Sequence, residues 1–210
     1  MNYPEYVKID NEEYKINTDF RIAIECNRIA EDEEIGDYER ALAIIYTLYG
    51  DKGLEHTEHH EKLLNYAMKY LCCGKEIDKR QKQEEPDMDF ILDMPYIEAS
   101  FMSDFHIDLE GRQMHWWKFY NLINGLSSSE LGNSCILNTI RAGRKKNPNE
   151  IKDTKLRNEF IEWQKSIALP KKKKHHTKEQ KEMANKVYEL FGLRREWFYG
   201  RYNNNRNRNW

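Results

Sequence analysis

Apolar residues recur with helical spacing along most of this chain, which predicts a mainly α protein: a helical bundle preceded by a small N-terminal β-hairpin and followed by a basic, partly disordered C-terminal extension. Two-residue alternation is confined to the first sixteen residues. Beyond them, capping residues and glycine stops bracket amphipathic runs. After Arg141 the composition turns basic.

The hairpin is read from Tyr6-Val7-Lys8-Ile9 and Tyr14-Lys15-Ile16, which alternate on either side of an Asp10-Asn11 turn. Thr18 or Asp19 can cap a first helix carrying Phe20, Ile22, Ile24 and Ile29. Asp37 is expected to cap a second, with Ala41, Leu42, Ile45 and Leu48 on one face and Gly50 as its stop. A third runs from about Glu58 to Cys73, striped by Leu63, Leu64, Ala67 and Leu71 and ended by Gly74. Residues 75–88 are charged and almost devoid of core residues, so they read as an exposed linker. The next helix holds Phe90, Ile91, Ile97 and Phe101, and Pro95 marks either its first turn or a kink. Phe105-His106-Ile107-Asp108-Leu109 connects it to a Trp-rich helix over roughly 112–125. Ser127-Ser128-Ser129 then looks like the cap of a helix over about 129–142. An amphipathic helix near 154–168 carries Leu156, Phe160, Trp163 and Ile167. After Lys171-Lys172-Lys173-Lys174-His175-His176, a last helix near 177–192 holds Met183, Val187, Leu190 and Phe191. The expected organisation is a helical domain over 1–145, a basic helical extension over 146–200 and a disordered tail over 201–210.

A net charge of −2 hides a strong polarity. Residues 1–110 carry 12 Lys and Arg against 27 Asp and Glu, whereas residues 111–210 carry 22 against 9. Such asymmetry fits an anionic partner for the basic half, and it fits equally well attraction between the halves, within one chain or between copies. No run of eighteen apolar residues is present, so a membrane-spanning helix is not expected. The first residues lack the basic-then-apolar pattern of a secretory signal, and the four cysteines are poorly spaced for a disulfide framework. Both point to a cytoplasmic protein.

His115-Trp116-Trp117-Lys118-Phe119 is the most informative local segment. On a helical wheel, Trp116, Trp117, Phe119, Tyr120, Ile123 and Leu126 cover an arc of about 180°, against roughly 100° for an ordinary surface helix. An arc this wide needs cover from two directions. Most of it is expected to be core, leaving Trp116, Trp117, Lys118 and Tyr120 as candidate partner contacts, with Trp117 and Tyr120 as the anchors. Arg141, Arg144, Lys145, Lys146 and Lys171 to Lys174 are candidate contacts to an anionic partner, nucleic acid included, although no known recognition module is visible. His56 and His60 have the spacing of a helical metal pair, but the glutamates around them make a solvated helix start the better reading. No metal site, no cofactor and no catalytic constellation is expected: Gly-x-Ser-x-Gly, a phosphate-binding glycine loop and His-Glu-x-x-His are all missing.

From Asp87-Met88-Asp89-Phe90, through Tyr96-Ile97-Glu98-Ala99-Ser100-Phe101 and the double-Trp segment, to Ile140-Arg141-Ala142-Gly143-Arg144, the sequence resembles the bacteriophage gene-product-fifteen family. Ile16-Asn17-Thr18-Asp19-Phe20-Arg21 fits the same pattern, and the resemblance spans roughly residues 5–170. Members occur in tail modules of siphophages and prophages of Gram-positive bacteria, between the genes for the tail-tube and tape-measure proteins. The resemblance implies a tail-assembly-chaperone-like binding protein of the host cytoplasm, with the tape-measure or tail-tube protein as partner. It assigns no role to any residue, and nothing of it transfers to the lysine run or the Asn/Arg tail. The alternatives are a structural tail component retained in the virion, and a nucleic-acid-binding protein using the basic third.

Overall fold

The computed structural model describes residues 3–32, 34–75, 86–128 and 134–170. Among these are eight α-helices and one two-stranded antiparallel sheet, so the protein is mainly α with an N-terminal hairpin. The expected helix near 177–192 and the tail lie outside the described residues. The rest falls into two compact units: the described residues of 3–75 with 113–120, and 86–112 with 121–170.

In the first unit, β1 (Tyr6–Ile9) pairs with β2 (Glu12–Lys15) around Asp10, whose φ of 53° is the left-handed turn that Asp tolerates. Alternation turns Val7, Ile9 and Tyr14 inward. The Tyr14 hydroxyl donates to His59 Nδ1 (2.7 Å), and His59 Nε2 reaches the Asp10 carboxylate (3.3 Å). His59 therefore joins the hairpin to the start of a helix, and burial pushes the Tyr14 phenol above its ordinary range.

Helix α1 (Phe20–Glu31) is capped by Asp19, as expected. Helix α2 (Asp37–Tyr49) is capped one residue earlier than expected. Gly36 is its N-cap, and its N–H donates to the Glu39 carboxylate (2.9 Å), while Asp37 pairs with Arg40 inside the first turn. Gly50, at φ 70°, stops it. A short α3 (Lys52–Glu55) and a 3₁₀ turn at Thr57–His59 lead into α4 (His60–Leu71), which starts two residues later than the sequence indicates because that turn occupies its first residues. The predicted stripe of Leu63, Leu64, Ala67 and Leu71 is buried.

The second unit holds α5 (Met94–Phe105), α7 (Ile136–Lys145) and α8 (Thr154–Ser166). Pro95 belongs to the first turn of α5, where its missing N–H costs no helical bond. Where α5 meets α7, the buried Ser100 hydroxyl donates to the Tyr96 carbonyl (2.7 Å) and accepts from the Leu137 N–H (3.1 Å), satisfying an orphan amide at the α7 start. The N-cap of α7 is Cys135, not the serine run: the Ser127 N–H instead donates to Asp104 (2.7 Å). Ser129 lies outside the described residues.

The exposed linker expected over 75–88 is corrected at its end. Residues 76–85 lie outside the described residues, but Asp87 and Met88 are buried. Asp87 takes ion pairs from Arg141 (3.3 Å) and Lys145 (2.6 Å). Beside it, the Asp93 side chain is 1% exposed and receives both terminal nitrogens of Arg144 at 2.7 Å, with the Asp89 N–H adding 2.9 Å. Arg144 also donates to the carbonyls of Asp87 (2.9 Å) and Ile167 (2.6 Å). One guanidinium thus ties the approach to α5, helix α7 and the end of α8.

Two outcomes are expected. Asp93→Asn removes the charge opposite a nearly buried guanidinium, so it should cost about 3–5 kcal/mol, read from urea unfolding. Asp104 has its pKa lowered, chiefly because the Ser127 backbone N–H donates to its carboxylate. That contribution is fully present above the ordinary carboxylate range near ~4 and is lost as the pH falls through the lowered value. Asp104→Asn should therefore lower the melting temperature at pH 7 and flatten its acid limb.

Candidate binding surface

Helix α6 (Trp116–Asn124) begins later than the expected 112–125, because Gln113, Met114 and His115 are extended. Their main chain is taken by the approach to α1. The Phe20 N–H donates to the Met114 carbonyl (2.9 Å), the Trp116 N–H donates to Thr18 (2.8 Å), and Asp19 bridges to His115. An amide or carbonyl held in such pairing is not available to a helical turn.

The two indoles then close the C-terminal end of α4. The Trp116 ring N–H donates to the Leu71 carbonyl (3.0 Å), and that of Trp117 donates to the Tyr70 carbonyl (2.8 Å). Trp117 lies over Gly74, whose φ is +73° and where a Cβ would sit 3.1 Å from the ring. Both the backbone conformation and the space call for glycine. His115 accepts the Trp117 backbone N–H at Nδ1 (3.1 Å) and faces the Pro4 carbonyl from Nε2 (3.1 Å), which fixes the Nε2–H tautomer. Tyr3 stacks on His115 at 4.8 Å, and Tyr70 meets both His115 and Trp117 edge-on or tilted at about 6 Å.

The wide arc therefore divides. Trp116, Phe119, Ile123 and Leu126 are buried, with Phe119 stacked on Phe20 at 4.2 Å. Trp117 and Tyr120 are half-buried, and Lys118 is exposed. Tyr120 receives the Lys75 ammonium over its ring at 5.2 Å. Of the four candidate contacts, Trp116 is an internal strut, and Lys118 and Tyr120 present surface to solvent. Close by, Lys15, Asn17, Thr18, Tyr49, Gln113 and His115 line part of an open groove of about 620 Å³.

Of the basic candidates, Arg141 and Arg144 are directed at the internal carboxylates already described, and Lys145 shares Asp87 with Arg141. Lys146 lies over the Phe160 ring at 5.7 Å. Lys171, Lys172, Lys173 and Lys174 lie outside the described residues. Cys26, Cys72, Cys73 and Cys135 form no disulfide, and burial pushes the Cys73 thiol up to about 12. Among the described residues, no group of three or more His, Cys, Asp or Glu is placed to hold a metal, and no helix is long and apolar enough to cross a membrane.

Sequence reasoning missed α8 as a surface. The spacing marks an amphipathic helix, and in the structure none of its residues is fully buried: Leu156 is 58% and Trp163 36% exposed. Only Ile167, just past its end, is buried. The helix is held by few contacts. Trp163 lies against Gly143, where a Cβ would come within 2.3 Å of the ring, and the Gln164 amide donates to the Gly143 and Lys146 carbonyls at 2.9 Å.

The family model for the bacteriophage Gp15 protein matches residues 2–169, four-fifths of the chain. The chain belongs to the bacteriophage Gp15 family. No curated protein and no solved structure matches it. The family match includes both indoles and the Asp87–Arg144 region of this Gp15 protein, and it stops before the lysine run.

The two tryptophans should separate on substitution. Trp116→Ala should cost about 3–5 kcal/mol through cavity formation. Trp117→Phe, which keeps a ring but loses the bond to Tyr70, should cost about 1 kcal/mol. Chemical denaturation of the two variants checks the order.

Proposed function

We propose that this Gp15-family protein is a tail-assembly-chaperone-like binding protein, which holds apolar stretches of the tape-measure or tail-tube protein during phage tail assembly in the host cytoplasm. The observation that carries this reading is the partly open apolar stripe of α8, where Leu156 is 58% exposed and continues at helical spacing into half-buried Phe160 and into Trp163, whose ring lies against Gly143 yet stays 36% exposed. Such a stripe suits helix-to-helix packing against a long helical client, with Trp163 as an aromatic anchor and Leu156 at its edge. Family membership supports the phage setting, and the chain's resemblance to tail-module proteins supports the choice of client.

Two rival readings draw less support. A nucleic-acid binder needs its cations free, whereas Arg141 and Arg144 face Asp87 and Asp93. A structural tail component shares the binding surface but stays in the particle, so mass spectrometry of purified virions separates it from a chaperone, which is absent or trace.

Co-expression with the tape-measure protein of its phage should raise that protein's solubility and allow the two to co-purify. Leu156→Asp should cut recovery of the complex at least about tenfold while shifting stability by about 0.5 kcal/mol or less, as for other surface substitutions. If wild type neither solubilises nor retains the tape-measure protein, the reading fails. If Leu156→Asp binds as well as wild type, α8 is not the surface.

A further inference from the structure

The outer edge of β2 is open at a single residue. Register fixes which of its main-chain groups face β1. The Ile16 N–H donates to the Glu5 carbonyl (2.8 Å) and Tyr14 pairs with Val7, so alternation turns the main-chain groups of Glu13, Lys15 and Asn17 the other way. Two of these residues are engaged there. The Lys52 ammonium donates to the Glu13 carbonyl (2.9 Å), and the Asn17 N–H donates to the Leu48 carbonyl (2.8 Å). Between them, the Lys15 N–H and C=O have no partner among the described residues, and Lys15 lines the open groove of about 620 Å³.

A free donor and acceptor on one extended residue form a template for another strand. The groove supplies the rest. The side chains of Asn17, Thr18 and Gln113 line it, make no hydrogen bond among the described residues, and offer donors and acceptors to further main-chain groups. A strand residue paired with Lys15 would set its side chain beside the Lys15 ammonium, which is exposed and in no ion pair among the described residues. Opposite charge is favoured at such a cross-strand pair. The residues before and after it turn to the other face of the sheet, where Tyr14 and Ile16 are buried and Leu48 and Tyr49 line the groove. Because Lys52 and Leu48 close the edge on either side, the added strand is short, about three residues or ~10 Å.

We propose that this groove binds an extended peptide of a partner protein, an acidic residue flanked by two small apolar ones, which adds as a short strand beside Lys15. This stands apart from the α8 reading, because it lies in the first unit and rests on main-chain pairing. The test titrates the full nitrogen-15-labelled chain with the end-blocked peptide Gly-Ser-Val-Glu-Val-Ser-Gly and follows the amide resonances. Saturable shifts at Lys15, Asn17, Thr18 and Gln113 are expected, with a Kd on the order of 1 mM. Methylating the main-chain nitrogen of the peptide's Glu deletes the N–H that meets the Lys15 carbonyl, and should weaken binding about tenfold. A peptide with Lys in place of that Glu should bind about threefold or more weaker, and Lys15→Glu should reverse the preference between the two. The proposal is overturned if the groove amides stay unmoved at about 5 mM peptide, well above the expected Kd. It is equally overturned if the methylated peptide binds as tightly as its parent. Groove shifts that arise on concentrating the protein alone would assign the edge to a second copy instead.

Discussion

Two indole N–H groups close the open end of α4, and much of the first unit is arranged around that closure. A helix leaves its last carbonyls without partners, and burying them unpaired costs on the order of a hydrogen bond each. Here Gly74 returns its N–H to Lys69 at 2.9 Å, Cys73 serves Tyr70 at 2.9 Å, and the tryptophans supply donors to Tyr70 and Leu71. The strap that carries those indoles is held in turn by main-chain pairing with Thr18 and Phe20. Start of α1, end of α4 and start of α6 are therefore mutually dependent, although their residues lie far apart in sequence.

The second unit depends on a different kind of centre. Asp93 is nearly inaccessible, so its charge is tolerable only with a fully satisfied counter-ion, which the bidentate Arg144 provides. Arg144 also holds carbonyls on either side, which fixes the segment before α5 against the end of α8. Such an arrangement confers register more than net stability. A substituted partner leaves a charge stranded, whereas any slip of α7 by one residue would point Arg144 away.

Set on these two frames, the remaining apolar surface is unevenly distributed. The α8 stripe and the outer face of α2 both keep exposed apolar side chains, and they differ in their surroundings: α2 is bracketed by carboxylates, whereas α8 follows a stretch of lysines and arginines. The charge polarity of the chain is thus more than a bulk property. It gives these two exposed stripes surroundings of opposite sign.

Much of the fold was legible in the sequence, since alternation marks the hairpin, four-residue spacing marks α4, and Asp19, Gly50 and Gly74 act locally. Local signals failed where a distant residue took the group in question. The Trp-rich helix starts late because Thr18 and Phe20 claim its expected first turn, and Asp87 is drawn into the interior by cations more than fifty residues away. The width of the aromatic arc was evident from spacing alone. Which half of it is core was not, because Trp117 and Tyr120 have the same character as their buried neighbours. The sequence by itself determined most of the described helices, the charge polarity of the chain and the family. Only the tertiary structure decided which basic residues are internal struts and which apolar side chains stay exposed, because burial and ion pairing depend on what lies across the gap.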